Sequence, residues 1–325
     1  PMIAPYARSI FVQPDGKIVV VASSLTLDPH IFLMRYDAQG ILDPSFGSGG
    51  ITSIVLPGAQ PAATNAVLQA DGKVVVASSA AGDMLVLRYG SDGALDPGFG
   101  AGGIATVDFG GTSDTAAAIL SDPVGIVVLG AAATGTTSYT ALTRLDDTGA
   151  VDPTFGSGGT ILHDIGGGAP PQTMVRLGDG KLFLSVGGYV GDPAQFSGVF
   201  FARLDAGGSL DPTFGAGGVL ADASEYVITE LARTPDDKVV GVGTTGYELV
   251  IERFLLDGSL DPTFGDAGEV ETTLAGGIDY PEQVVVGPDG TIALTGEDYA
   301  ACEPMNCDDF YHISYHAYVV RFQGG

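Results

Sequence analysis

The sequence predicts an all-β protein, a six-bladed β-propeller of four-stranded antiparallel blades, with residues 1–325 forming one domain of six repeats. Three observations carry this. A ten-residue phrase recurs five times: LDPSFGSGGI (42–51), LDPGFGAGGI (95–104), VDPTFGSGGT (151–160), LDPTFGAGGV (210–219) and LDPTFGDAGE (260–269). An Arg stands eight residues before the Asp of every copy. A hairpin signal precedes each Arg.

The elements follow in chain order. The motif Asp falls at Asp43, Asp96, Asp152, Asp211 and Asp261, with steps of 53, 56, 59 and 50 residues. That period suits propeller blades rather than helical solenoids. The upstream arginines are Arg35, Arg88, Arg144, Arg203 and Arg253, and Arg321 continues the series. Ahead of them run QPDGKIVV (13–20), QADGKVVV (69–76), SDPVGIVV (121–128), LGDGKLFL (177–184), TPDDKVVG (234–241) and GPDGTIAL (287–294). Asp-Gly between apolar runs predicts a tight hairpin with φ > 0 at both turn residues. The flanking Val- and Ile-rich segments read as strands, and no helical period competes. Each unit therefore reads as strand, turn, strand, variable loop, strand ending in Arg, motif, strand.

The motif is expected to carry the chain from the outer strand of one blade to the inner strand of the next. Its Pro presets φ for a turn, and its Asp caps that turn. Phe46, Phe99, Phe155, Phe214 and Phe264 are expected to fill the wedges between blades, and the motif glycines to allow close backbone approach near the axis. An Arg–Asp pair eight residues apart fits across the turn. Residues 1–7, PMIAPYA, are expected to supply the sixth inner strand and close the ring, since an open edge would leave strand groups unpaired.

Composition narrows the function classes. Thirteen basic residues against 39 acidic ones give a net charge of −26. Such a surface repels nucleic-acid phosphates and anionic lipid headgroups, and it attracts cations. No apolar run reaches the length of a membrane span, so membrane insertion is not expected; nucleic acid is not expected from the charge, and a monomer is expected. The opening Pro1-Met2 suggests a processed start. GxSxG, Walker, HExxH and CxxC patterns are missing, and four His offer little for acid–base chemistry. Gly98, Gly100 and Gly103 satisfy GxGxxG literally. The other units carry Ser or Thr at the first position and no helix follows, so this is a turn.

LDPTFGAGG, with an upstream PDGKIVV hairpin and a strand ending in Arg-Tyr or Arg-Phe, resembles the delta-60 repeat of bacterial β-propellers. The resemblance covers nearly the whole chain. It implies a secreted, periplasmic or cell-surface bacterial protein, and it implies no catalytic residues. SDPVG in the third unit and PDDK in the fifth depart from the pattern at the turn.

Where the repeats differ, function is sought. From the hairpin's second turn residue to the Arg, the first five units span 16 to 23 residues and the sixth spans 31. The excess is EDYAACEPMNCDDFYHISYHAY, residues 297–318. Tyr299, Asp308, Asp309, Tyr311, His312 and His316 are its candidate ligand-binding residues, for an unidentified glycan, peptide or protein. His312 and His316, on one strand, stand roughly 13 Å apart, too far for one ion. Cys302 and Cys307 are the only cysteines; in an exported protein they read as a disulfide that shapes the tip of this loop. A second candidate is an acidic channel mouth, with Asp108, Asp164 and Asp222, near His163 and Glu225, at the ends of presumed inner strands. Converging carboxylates suit a hard cation such as Ca²⁺. The leading reading is a non-catalytic secreted or surface binding or scaffold module. Two alternatives stand beside it: a hydrolase or lyase working at the acidic mouth, and a structural segment of a larger surface protein.

Overall fold

The computed structural model of the chain describes residues 6–24, 30–56, 65–122, 124–187, 198–222, 226–245, 248–273, 278–300 and 314–322. Six antiparallel sheets make an all-β, six-bladed propeller. The blades group into two compact units, Pro1–Gly168 and Ala169–Gly325.

In the first unit, blade 1 is β1 (Tyr6–Val12), β2 (Ile18–Ser23), β3 (His30–Tyr36) and β4 (Ile51–Val55). Blade 2 is β5 (Asn65–Leu68), β6 (Val74–Ala80), β7 (Asp83–Tyr89) and β8 (Ile104–Val107). Blade 3 is β9 (Ser113–Asp122), β10 (Gly125–Thr134), β11 (Thr137–Leu145) and β12 (Thr160–His163). In the second unit, blade 4 is β13 (Pro171–Arg176), β14 (Leu182–Gly187), β15 (Val199–Leu204) and β16 (Val219–Asp222). Blade 5 is β17 (Val227–Arg233), β18 (Val239–Thr244), β19 (Leu249–Phe254) and β20 (Glu269–Thr272). Blade 6 has three described strands, β21 (Ile278–Val286), β22 (Ile292–Ala300) and β23 (Ser314–Phe322).

Three expectations about connectivity are corrected. The motif does not pass between blades. It joins the third and fourth strands of one sheet, so that Met34 pairs with Ile51 on either side of LDPSFGSGG. Tyr6 and Ala7 do not close a sixth blade, because they pair with Ser23 and Ala22 inside blade 1; residues 1–5 lie outside the described residues. The first strands, not the fourth, converge: β5 touches β1 and β9, and β17 touches β13 and β21. The fourth strands stand at the opposite sheet edge. The motif glycines accordingly approach the start of their own fourth strand, where a Cβ on Gly47 would sit 2.4 Å from the Ile51 carbonyl oxygen.

The turns also differ from expectation. Gly16 donates its N–H to the Gln13 carbonyl at 2.9 Å, and in the Asp-Gly turns only the glycine has positive φ, as at Gly16, Gly72, Gly180 and Gly290. This is a type I turn followed by one left-handed residue, which Pro14 favours by presetting φ at the second position. In blade 5 Asp237 takes that left-handed place at φ 68°.

The wedge role of the motif Phe holds. Phe46 packs with Val74, Val76 and Leu87 of blade 2, Phe99 with Ile126 and Val128 of blade 3, and Phe214 with Val239 and Val250 of blade 5. Each is at most 1 % exposed. The next blade meets the ring with a glycine: a Cβ on Gly93 would stand 3.0 Å from Phe46, and one on Gly258 would stand 2.5 Å from Phe214.

Candidate functional site

The repeated charges are already committed to one another. Arg35 Nε donates to Asp43 Oδ2 at 2.9 Å, and Arg88, Arg144, Arg203 and Arg253 make the same bond to Asp96, Asp152, Asp211 and Asp261. Each guanidinium also lies over its motif Phe, 4.5–5.1 Å from the ring centre. Arg35 and Arg203 reach further, donating to the Ser91 and Leu256 carbonyls of the following blade. The hairpin Lys joins the same carboxylate: Lys17 to Asp43, Lys73 to Asp96, Lys181 to Asp211 and Lys238 to Asp261. The hydroxyl and N–H of Ser45, and of Thr213 in blade 4, hold Asp43 and Asp211 well below the usual carboxylate range, while at Asp261 the Lys238 ammonium leads. These pairs are architecture. A cleft of about 540 Å³ beside Lys73 and Arg88 is lined by cations already spent on Asp71 and Asp96.

Among the described residues, carboxylates also cluster outside the repeat. A first cluster lies where blade 2 meets blade 3. Asp83 opens β7 after the Ala81-Gly82 turn, Asp108 follows β8, and Asp114 lies in β9. One carboxylate oxygen from each falls within 4.8 Å of the others. Asp108 is exposed and Asp83 half-buried, whereas Asp114 is 2 % exposed. The Phe109 N–H donates to Asp114 Oδ2 at 2.8 Å, the Gly110 N–H donates to Asp108 Oδ1 at 2.6 Å, and Asp114 Oδ1 is buried without a partner. Burial pushes the Asp114 carboxyl above the usual range; the Phe109 N–H opposes this, and Asp108 and Asp83 push it further.

The second cluster lies between blades 4 and 5. Glu252, in β19, is 1 % exposed. The Tyr226 hydroxyl stands 2.6 Å from Glu252 Oε1 and 3.0 Å from Asp222 Oδ2. One phenol carries one proton and can donate to one of them. The second contact needs a proton from a carboxyl. Burial supplies the reason for which one: it pushes Glu252 up to about 8, the Tyr226 hydroxyl opposing and Asp222 and Glu269 adding to it. With the Glu252 carboxyl protonated, the Tyr226 hydroxyl bridges Glu252 and the half-exposed Asp222.

Asp108 and Asp164 directly follow β8 and β12, and Asp222 ends β16, the fourth strands of three different blades. Asp108 gathers with Asp83 and Asp114, and Asp222 with Tyr226 and Glu252. His163 ends β12 on the same sheet edge, and Glu225 lies outside the described residues. Sequence reasoning missed Asp83, Asp114 and Glu252. Only DFGGTSD (108–114), two acids around a Gly-Gly turn, carried a local signal for one of them.

In the sixth blade, part of the insertion is strand rather than loop. Residues 297–300 and 314–318 lengthen the β22–β23 hairpin, with Asp298 opposite His316 and Tyr299 opposite Tyr315. Cys302, Cys307, Asp308, Asp309, Tyr311 and His312 lie outside the described residues.

A family model described as a domain of unknown function (DUF5122) beta-propeller matches residues 13–46, 69–99, 177–214 and 234–264. These four stretches are similar to the repeat of that family. Each DUF5122 match runs from the hairpin to the motif Phe, and the four blades matched are those in which a hairpin Lys reaches the motif Asp. Blade 3, with Val124-Gly125 after Asp122-Pro123, has no such Lys. No curated protein matches the chain. Among solved structures, the fold is similar to a protein of unknown function from Bacteroides caccae, at TM-score 0.51 and 8 % identity over 89 % of this chain and 84 % of that one. It is also similar to a catalytically inactive virginiamycin B lyase from Staphylococcus aureus with quinupristin, at TM-score 0.50 and 12 % identity over 98 % and 85 %. At such identities the likeness shows the fold alone.

Proposed function

We propose that this chain is a non-catalytic binding or scaffold module of the delta-60 type, exported to the periplasm or cell surface of a bacterium. On this reading it is a single monomeric propeller of six repeats, and it meets its ligand at the sixth-blade insertion. One observation carries the proposal. The repeated Arg, Lys and Asp are consumed in pairs within their blades and the motif Phe in the wedge to the next blade, while the nine-residue strands β22 and β23 flank residues 301–313 of the one long insertion. An extended hairpin that the scaffold does not need is where recognition is placed at low cost to the fold. Its Tyr, Asp and His suit a polar glycan or a peptide. The charge of −26 argues against nucleic acid. Among the described residues no helix is long and apolar enough to cross a membrane. The lyase-like alternative loses support, because the acids it relied on lie at the ends of the fourth strands.

The test is a glycan and peptide array probed with the intact chain. The chain is then probed with residues 299–312 replaced by a short Gly-Ser turn. Loss of binding with an unchanged thermal midpoint supports the assignment; binding that survives the deletion overturns it. Thiol labelling of the natively purified protein reports the Cys302–Cys307 disulfide, and two free thiols would remove it.

A further inference from the structure

We infer that Asp83, Asp108 and Asp114 form a binding site for one hard divalent cation, with Ca²⁺ the best fit, that staples blade 2 to blade 3. This goes beyond the binding-module reading and does not depend on it. The donor set is carboxylate alone, the preference of Ca²⁺ and Mg²⁺ rather than of Zn²⁺. Ca²⁺–oxygen distances of about 2.3–2.6 Å allow two ligands of one ion to lie up to about 5 Å apart. The three oxygens here, within 4.8 Å of one another, meet that condition.

The independent observation is Asp114. It is 2 % exposed, its Oδ2 is taken by the Phe109 N–H, and its Oδ1 is buried with no hydrogen-bond partner. A buried carboxylate oxygen left bare is costly, and a cation removes that cost. No Lys, Arg or His pairs with any of the three acids among the described residues. The backbone braces the position from both blades. The Asp114 N–H donates to the Gly82 carbonyl at 2.6 Å, and the Thr112 N–H donates to the Ala133 carbonyl at 2.7 Å. Asp83 and Asp108 belong to blade 2 and Asp114 to blade 3, so an ion held by all three crosslinks the two sheets. Mg²⁺ demands stricter octahedral geometry and keeps its waters, so it is expected to bind more weakly.

The test uses the full chain, stripped with chelator and exchanged into about 0.15 M KCl to suppress the diffuse ion atmosphere. CaCl₂ and MgCl₂ are titrated by calorimetry, and the thermal midpoint is read with and without Ca²⁺. The expected result is one saturable Ca²⁺ per chain and a midpoint raised by several degrees. Asp108→Asn, at an exposed position, is expected to weaken binding about tenfold or more. Asp266→Asn, an exposed acid on another blade, is expected to leave it unchanged. Asp114→Asn relieves like-charge repulsion, so it should raise the metal-free midpoint and abolish the response to Ca²⁺. Absence of saturable uptake by the parent chain overturns the inference. So does equal uptake by Asp108→Asn and Asp83→Asn, or a full Ca²⁺ response in Asp114→Asn. If Asp114→Asn does not fold, the two other variants decide.

Discussion

At the residue scale, the repeated Arg is a joint rather than a surface charge. Arg88 binds Asp96 at 2.9 Å, covers the Phe99 ring, and is 5 % exposed. Arg88→Ala is expected to cost about 1–3 kcal/mol, the range for a charged hydrogen bond left half-made, read as a lower denaturation midpoint at unchanged m-value. Arg88→Lys should not restore it, because an ammonium lacks the planar fork that binds carboxylate and stacks on the ring. Arg144→Ala should cost more than Arg88→Ala. Asp96 keeps Lys73, whereas Asp152 has no second cation among the described residues. Equal losses in the two variants would show that the Lys contributes nothing. The Arg–Asp spacing was legible in the sequence, because a constant eight-residue step survives every change in loop length. The Lys partnership was not legible, because it joins residues 23 to 30 apart through a sheet register that spacing alone does not reveal.

Glu252 gives a second residue-scale prediction. Its ordinary value is 4.5, and in the fold it is pushed up to about 8. Below 4.5 it is protonated whether folded or unfolded and costs nothing. Between 4.5 and about 8 the unfolded chain ionises while the folded chain keeps the proton, so stability falls as pH rises through this window and then levels. Glu230, pushed up to about 8 by burial and by Glu282, acts in the same direction. Glu252→Gln is expected to flatten part of the slope of unfolding free energy against pH between about 5 and 8, and a second Glu230→Gln change to flatten more. An unaltered slope in the double variant would mean that neither carboxyl holds its proton in the fold.

At the scale of elements, the blade wedge is a ring against a glycine. Gly16 and Gly258 have similar positive φ, 82° and 92°, so an added methyl strains both backbones alike. A Cβ at Gly16 meets open space, while one at Gly258 meets Phe214 at 2.5 Å. Gly258→Ala is therefore expected to destabilise by about 1–3 kcal/mol more than Gly16→Ala, the usual cost of overpacking. Chemical denaturation of the two variants side by side measures the difference, and equal costs would show that the wedge yields. The strand-turn-strand grammar of each blade could be read from the sequence, since alternating Val and Ile around turn residues leaves few other solutions. Which sheet receives the fourth strand could not. LDPxFGxGG is long enough to cross to a neighbour or to fold back, and only the ladder of β4 on β3 decides it.

At the scale of the whole molecule, 39 acidic residues against 13 basic ones repel one another across the surface. Raising NaCl from about 10 mM to about 0.5 M shortens the Debye length from about 30 Å to below 10 Å. The thermal midpoint is expected to rise over this range, because the buried Arg–Asp pairs are screened far less than the exposed acids. A falling midpoint would mean that surface pairing outweighs repulsion. At equal ionic strength, a further rise specific to Ca²⁺ separates a bound ion from simple screening.

What the sequence determined by itself was periodic: six units, four-stranded blades, the Arg–Asp pair and the Phe wedge. Periodic features are local, repeated and tolerant of where each blade sits, so spacing and residue type suffice to find them. What only the tertiary structure decided was everything that brings distant residues together. It set Asp108, Asp164 and Asp222 at the fourth strands, the sheet edge opposite the first strands that meet between neighbouring blades. It assembled Asp83, Asp108 and Asp114 from a turn, a strand end and the next blade's first strand. It buried Glu252 against Tyr226, 26 residues away. These clusters break the repeat, and their members are joined by packing between blades, a physical relation that no spacing along the chain encodes.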